Sequence, residues 1–457
     1  MFDRAYFTDI TDKKITVIGA ERSGLAAAKL IRAKGGIPFV SDSGTKEKLA
    51  ERFEELTSLQ VNFEMGVHSD RVFDAAFIVV SPGVPDEAPV VKKAYERNIP
   101  VISEVEFASG FCTGKIIAIT GTNGKTTTTS LVEHLLKTAG LKTFAAGNIG
   151  YAFSDAVMND TPDTYYALEV SSFQLDHIEF FKPAVAAILN ITPDHMNRYQ
   201  NSMELYIRSK YRIFKNLEAA DVLILNDDNA WLKKEKIRTA GTCVRFSLEN
   251  QQIDGAALIE EDLIFTQAGR VKHIFPVSQL LIEGKHNAAN AMAAVLAVRP
   301  FISDFETIAR GLRSFPGVEH RLELVKTING VRYINDSKAT NIDSVCVALE
   351  SFNAPLYLIL GGRDKGNDYE LIKDQVVEKV KKIYAIGESA EKVFSFFRGL
   401  VKTEIQPTLE DAVRTANKEA REGDIVLLSP ACASFDMFSS YEHRGKVFKH
   451  AVEDLAR

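Results

Sequence analysis

The chain has 457 residues, enough for about three domains of roughly 150 residues each. It is 46% hydrophobic and 25% charged with a net charge of −6, so each domain can bury a core of its own and no global basic field points to nucleic acid or an anionic membrane. Cys112, Cys243, Cys346 and Cys432 are far apart with no CxxC pair, which argues against a disulfide framework and fits a reducing cytoplasm. The opening Met-Phe-Asp-Arg-Ala-Tyr is too charged for the apolar stretch of a signal peptide, and no apolar run is long enough to span a bilayer.

Residues 14–110 alternate short apolar runs with amphipathic stretches. Segments 15–18, 37–40, 77–80 and 100–102 read as buried strands, with helices at 25–33 and 89–97. Such alternation predicts a parallel sheet with helices on its faces. The turn Gly19-Ala-Glu-Arg-Ser-Gly24 matches GxGxxG except at Glu21, where a glycine would let the backbone approach a pyrophosphate. A nucleotide-like ligand held otherwise than NAD is one expectation here, and a purely structural turn is the other.

A second α/β unit starts at Lys115, with strands near 164–170, 184–190 and 221–226 and a helix near 287–297. A third begins near Gly317, with strands at 331–334, 356–360, 382–386 and 424–428. The fold class expected is α/β in three domains. A Rossmann-like N-terminal domain occupies 1–103, a central P-loop ATPase-type domain with a mostly parallel sheet 104–316, and a Rossmann-like C-terminal domain 317–457. There are neither internal repeats nor low-complexity linkers.

The central domain opens on the most informative run, Ile116-Ile-Ala-Ile-Thr-Gly-Thr-Asn-Gly-Lys-Thr-Thr-Thr-Thr129. A short core strand meets a turn in which Gly121, Asn123 and Gly124 allow inward-pointing amides. Lys125 adds a cation, and Thr126 a hydroxyl at the start of a helix. This combination binds the β- and γ-phosphates of a nucleoside triphosphate, although Ile119 replaces the first glycine of GxxxxGK(S/T). Glu169 ends a later apolar strand, and Asp194 and His195 follow another. With Thr126, Glu169 and His195 could complete an oxygen-rich site for magnesium or manganese. Lys210 lies in a helix expected over 206–214, where a solvated face is the default reading. In the third unit, His320-Arg321 precedes Ile334-Asn-Asp-Ser-Lys-Ala-Thr-Asn341, whose Ser337 and Thr340 can bind an anion. Gly361-Gly-Arg-Asp-Lys365 and Leu428-Ser-Pro-Ala-Cys-Ala-Ser-Phe-Asp436 also follow strands, where α/β sheets place ligands.

These residues resemble the Mur ligases, ATP-dependent amino-acid ligases of peptidoglycan synthesis, over essentially the whole chain. Thr120-Gly-Thr-Asn-Gly-Lys-Thr126 is similar to their phosphate loop, and Gly284-Lys-His-Asn-Ala-Ala-Asn290 to their HNxxN segment. The runs 334–341 and 429–436 resemble the D-glutamate-adding branch. The resemblance implies that ATP is spent to join D-glutamate to UDP-N-acetylmuramoyl-L-alanine through an acyl phosphate, with two magnesium ions and with manganese as a possible substitute. It implies that Gly121, Thr122, Asn123, Gly124, Lys125, Thr126, Thr127, Asn287, Asn290, Arg321 and Asp336 contact ATP. Thr126, Glu169, His195 and Lys210, the last as a carbamate, would hold metal, and Lys125, His195, Lys210 and Arg321 would carry the chemistry. The uridine-diphosphate end would meet Arg22, Ser23, Asp42, Ser43 and Gly83. Asn148 would face the muramoyl part, and Lys338, Thr340, Lys365, Ser434 and Tyr441 would surround D-glutamate. Ser171, His195 and Phe435 would also bind substrate.

Three positions depart from the family pattern: Glu21 and Gly44 near the diphosphate, and Asn197 where an aspartate often stands. A monomer with no nucleic-acid or membrane partner is expected. The competing readings are a sister Mur ligase, a folylpolyglutamate synthetase-like ligase, and a P-loop kinase or NTPase switch that would need no amino acid.

Overall fold

Three α/β sheets, each mostly or wholly parallel, form the scaffold. The computed structural model describes residues 3–45, 49–234, 237–267, 269–364 and 366–455. Tertiary contacts divide the chain into two compact units, Met1–Leu280 with Ala288–Phe315, and Leu281–Asn287 with Pro316–Arg457. The first two sheets belong to the first unit and the third sheet to the second.

The N-terminal sheet holds β1 (Lys14–Ile18), β2 (Ile37–Asp42), β3 (Asn62–Met65), β4 (Phe77–Val80) and β5 (Val101–Ser103). Its order is β3-β2-β1-β4-β5 with every pair parallel. Order reverses beside β1, so the turn after it, residues 19–24, opens at a topological switch point where such sheets bind ligands. Gly19 has φ +96°, and a Cβ there would meet Ser81 Oγ at 2.7 Å. The turn therefore admits only glycine at its start.

The central sheet contains β6 (Lys115–Thr120), β7 (Thr143–Gly147), β8 (Tyr165–Glu169), β9 (Val185–Ile188), β10 (Val222–Asn226), β11 (Thr242–Ser247), β12 (Gly255–Ile259), β13 (Asp262–Gln267) and β14 (Arg270–Pro276). The order is β14-β13-β12-β11-β10-β9-β6-β8-β7. Strands β7 to β12 are parallel, and β13 and β14 add an antiparallel edge. A continuous apolar cluster runs from Ile15 and Val17 through Phe107 to Ile188 and Leu223, so the first two sheets pack into one body.

The third sheet comprises β15 (Glu323–Ile328), β16 (Val331–Asn335), β17 (Leu356–Gly361), β18 (Val380–Ile386), β19 (Lys402–Ile405) and β20 (Ile425–Leu428). The order is β15-β16-β20-β17-β18-β19, with only β15 antiparallel. Strand side chains alternate faces, and both faces are buried. Leu356, Leu358 and Leu360 enter one cluster, while Tyr357 and Ile359 enter the other.

Candidate active site

The phosphate loop leaves β6 and enters the helix Lys125–Thr138. Gly124 stands before the helix with φ +82°, and a Cβ there would come within 2.4 Å of Asn290 Oδ1. Both backbone and space require glycine. Asn190 fixes the loop: its Oδ1 accepts from the amides of Thr122 at 3.1 Å and Asn123 at 2.8 Å, and its Nδ2 donates to Asn123 O at 3.0 Å. The first amides of a helix have no intrahelical partner and suit an anion. Asn290 is buried in the helix Lys285–Val298 and accepts from Thr128 Oγ1 at 3.2 Å. Buried Thr127 lies on the same first turn, and Asn287 donates to Glu283 O at 2.7 Å.

Lys125 Nζ donates to Gly121 O at 2.9 Å and to Thr122 O at 2.7 Å. Lys210 comes from the helix Met203–Tyr211 and donates to the same Gly121 O at 2.9 Å. Only 2% of Lys210 is exposed, so the solvated-face reading of this lysine is overturned. The helix also ends earlier than expected, its last turn tightening to 3-10 geometry over Arg212–Phe214. Burial, and then repulsion from Lys125, push the Lys210 ammonium well below the ordinary lysine range.

Glu169 is buried at the end of β8. Its Oε1 accepts from Asn148 Nδ2 at 2.8 Å, and its Oε2 is buried with no hydrogen-bond partner. An anionic oxygen shielded from water and from donors suits a hard divalent cation, which is the fit magnesium requires. His195 stands at φ +52° after β9, its ring edge-on to Phe173 at 5.1 Å and its Nε2 3.5 Å from Asp194 Oδ2. Ser171 is engaged as a helix cap, in reciprocal bonds with Gln174.

Near β1, Asp42 accepts from the amides of Ala20 at 2.6 Å and Gly44 at 2.7 Å. Ser43 is exposed, and nothing lies within 4 Å of a Cβ built on Gly83. Ser23 lies in the first turn of the helix Arg22–Ala33. Arg22 donates to Gly150 O at 2.9 Å and Gly147 O at 3.0 Å, so it holds the turn that carries Asn148. Glu21 is exposed, 3.8 Å from Arg52.

In the second unit, Arg321 Nη1 lies 3.9 Å from Asp336 Oδ1. Asp336 is almost wholly buried and accepts from Ser429 Oγ at 2.9 Å. Burial pushes its carboxyl up to about 6 despite Arg321. Lys338 Nζ lies 5.7 Å from the centre of the Tyr441 ring, within cation–π range. Ser434 is buried, Phe435 is 63% exposed, and Thr340 is half-buried. Lys365 lies outside the described residues. Glu319, His320 and Glu323 come close enough to share an ion, yet Lys449 Nζ pairs with both acids, at 3.0 and 2.6 Å.

Sequence comparison assigns a family to all three sheets. The chain matches the Mur ligase MurD-like N-terminal domain over 13–103, the Mur ligase middle domain over 119–298, and the Mur ligase glutamate ligase domain over 320–432. It is 44% identical to the UDP-N-acetylmuramoylalanine--D-glutamate ligase of Chloroherpeton thalassium, across 98% of this chain and 99% of that protein. The chain belongs to the Mur ligase family.

Proteins of the same name from Christiangramia forsetii and Koribacter versatilis are 44% and 42% identical to this Mur ligase, each covering at least 97% of it. Its fold is shared with the UDP-N-acetylmuramate-alanine ligase of Thermotoga maritima, at 18% identity and a TM-score of 0.63 over 97% of the chain. A pseudomurein peptide ligase from Methanothermus fervidus aligns with a TM-score of 0.59 at 20% identity. The fold is the three-domain α/β architecture of the family.

Three supporting residues of this ligase escaped the reading of its sequence. Asn190 lay inside a segment noted for Asp194 and His195, but one asparagine before a turn carries no distinguishing pattern. Arg198, three residues past His195, donates to Pro82 O at 3.3 Å and Val84 O at 3.2 Å and stacks on Phe173 at 4.0 Å. Arg444 is buried under the third domain's turns, where an arginine on an amphipathic helix would ordinarily face solvent.

Proposed function

We infer that the chain joins D-glutamate to the L-alanyl carboxyl of UDP-N-acetylmuramoyl-L-alanine at the expense of ATP, in peptidoglycan synthesis. The observation that carries this reading is the triad of phosphate loop, buried Glu169 with an unpartnered oxygen, and buried Lys210 amine. Full-length identity of 40–44% to relatives bearing that name supports it.

A carboxylate at neutral pH is a poor electrophile, so it must be activated. The alanyl carboxylate oxygen attacks the γ-phosphorus of ATP and ADP leaves, giving an acyl phosphate. The amine of D-glutamate then adds to the activated carbonyl, and the tetrahedral intermediate collapses to an amide by expelling phosphate. Lys125 and the helix N-terminus neutralise the phosphoryl oxygens, and Arg321 adds a cation to the charge that develops. Asp336 takes the ribose, while Asn287, Asn290 and Thr127 complete the ATP contacts. Thr126, Glu169, His195 and a carbamate on Lys210 would hold magnesium, which when bound supplies Lewis-acid charge to the phosphoryl oxygens. Two ions fit the separation of duties between phosphate and acyl phosphate, and manganese would serve the same oxygen ligands. Asn148 orients Glu169. Lys338, Thr340, Lys365, Ser434, Phe435 and Tyr441 hold D-glutamate, a dianion that calls for more than one cation. The uridine-diphosphate end rests on Arg22, Ser23, Asp42, Ser43 and Gly83, with Ser171 beside the muramoyl-alanine. The working form is a cytoplasmic monomer with domains at 1–103, 104–316 and 317–457.

ADP release is the test, with UDP-N-acetylmuramoyl-L-alanine, ATP and magnesium, adding D-glutamate, L-glutamate, L-lysine or meso-diaminopimelate separately. Release that depends on D-glutamate, with a product heavier by one glutamyl residue, is expected. Release with another amino acid would move the assignment to a sister ligase, and release without any would point to an NTPase.

A further inference from the structure

Arg444 is the largest fully buried side chain of the second unit, with 1% of its surface exposed, and the chemistry above leaves it unused. Its Nε donates to Ser337 Oγ at 3.0 Å and its Nη2 to Ser337 O at 2.8 Å. Its Nη1 donates to Cys432 O at 3.1 Å and Ala433 O at 3.4 Å. One planar guanidinium thus bridges two turns from distant parts of the chain, 336–340 and 429–436. Among the described residues it makes no ion pair within 4.0 Å, and burial lowers its pKa to about 10. A desolvated cation bonded to three backbone carbonyls and a hydroxyl is a costly way to hold a loop. A neutral side chain could pack there at lower cost.

The two turns it bridges are those that carry Lys338, Thr340 and Ser434. The second turn is strained, since Ala431 is a non-glycine residue at φ +56°. The Ala433 carbonyl is drawn toward Arg444, and it also accepts from Arg363 N at 2.9 Å. Because the peptide is planar and trans, the Ser434 N–H in that same unit must point the opposite way. Ser337 is treated likewise from the other side. Its Oγ accepts from Arg444 and donates to Tyr441 O at 2.8 Å, so the start of the helix Tyr441–Asp454 is tied to the same hub. Gly362 completes the fit, since a Cβ there would meet Ala433 O at 2.5 Å and Arg444 Nη1 at 3.2 Å.

We propose that Arg444 is a positioning residue for the amino-acid substrate, fixing the spacing of the Lys338 and Ser434 turns so that they accept a dicarboxylic amino acid. The inference rests on the reading that those turns hold D-glutamate. Lysine at this position keeps the charge but cannot supply the planar fork that reaches Ser337 and the 432–433 carbonyls together.

The test is steady-state kinetics on the full chain with Arg444→Lys, Arg444→Gln and Ser337→Ala, varying D-glutamate, ATP and the UDP substrate in turn. In each variant, KM for D-glutamate should rise roughly tenfold or more, with KM for ATP and the UDP substrate within about twofold. Arg444→Lys should fall between wild type and Arg444→Gln. Parallel rises in all three KM values, or an unchanged D-glutamate KM with a lowered melting temperature, would reduce Arg444 to a structural strut and overturn the proposal. Ser337→Ala removes one acceptor while leaving the arginine in place, so it answers the question even if the Arg444 variants fail to fold. Ser434→Ala, measured alongside, reports on the pocket itself. If it leaves D-glutamate KM unchanged, the pocket assignment falls and this proposal with it. If it raises that KM while the Arg444 and Ser337 variants do not, only the role of Arg444 is lost.

Discussion

Lys125 and Lys210 donate to one carbonyl oxygen, that of Gly121, each at 2.9 Å. Two ammonium groups that close repel, and Lys210 is the buried one, so it is the one driven toward the neutral amine. A neutral amine is the form that adds carbon dioxide, releasing a proton and leaving a carbamate. The same depression has a sign for stability. The folded state holds this proton less tightly than the unfolded chain, so Lys210 costs stability below the ordinary lysine range, and that cost fades as pH rises toward 10.5. Lys210→Ala should abolish ligation and be partly rescued by added acetate or formate. Wild-type enzyme held in carbon-dioxide-free, mildly acid buffer should lose activity and regain it with bicarbonate at mildly alkaline pH. A folded Lys210→Ala protein that no small carboxylic acid revives would sink the carbamate assignment.

Glu169 presents a different balance. With Oε2 buried and unpartnered, its negative charge is a liability to the fold unless a cation meets it. Glu169→Gln should therefore hold or raise the melting temperature in the absence of metal. It should also raise the magnesium concentration for half-maximal ADP release by roughly tenfold or more. A normal magnesium titration in this variant would remove Glu169 from the metal site.

The strands that carry the site were legible because parallel strands buried on both faces are continuous apolar runs. Phe77–Val80 is found as expected, and Leu356–Gly361 and Val331–Asn335 extend the expectation by one residue each. Three of the edge strands were not. Asn62–Met65, Lys402–Ile405 and Arg270–Pro276 are half-exposed and polar, and no apolar run marks a strand with one open side. The motif residues were visible because glycine, lysine and threonine at fixed spacing have few other uses. Lys210 was not visible as a buried group, because its helix also carries exposed Leu205 and Arg208 and shows no clean apolar stripe. Its burial is decided by the loop it meets, 89 residues earlier in the chain.

Gly124 ties the phosphate loop to Asn290, and both its φ of +82° and the 2.4 Å approach to Asn290 Oδ1 exclude a side chain. Gly124→Ala should cost about 1–2 kcal/mol from the left-handed backbone alone, and more from the displacement of Asn290. Thermal unfolding together with KM for ATP checks this. A variant with both values unchanged would show that the loop tolerates another conformation and that the glycine is not needed for phosphate binding.

Asp336 gives the clearest pH signature. Its carboxyl has an ordinary value of 3.8 and is pushed up to about 6, burial outweighing the help of Arg321, Ser429 and the Leu322 amide. Between those two values the folded state binds more protons than the unfolded chain. Stability therefore falls as pH climbs through that window and stays at the lower level above it. Asparagine keeps an oxygen for Ser429 and does not titrate. Asp336→Asn should match wild type near the acid end of the window and become more stable than wild type by up to roughly 3 kcal/mol near neutrality. The same variant should bind ATP more weakly, since it loses the anionic acceptor assigned to the ribose. Denaturant unfolding at several pH values, paired with KM for ATP, separates the two effects. A stability difference that stays constant across the window would mean that Asp336 is ionised throughout, with Arg321 outweighing burial.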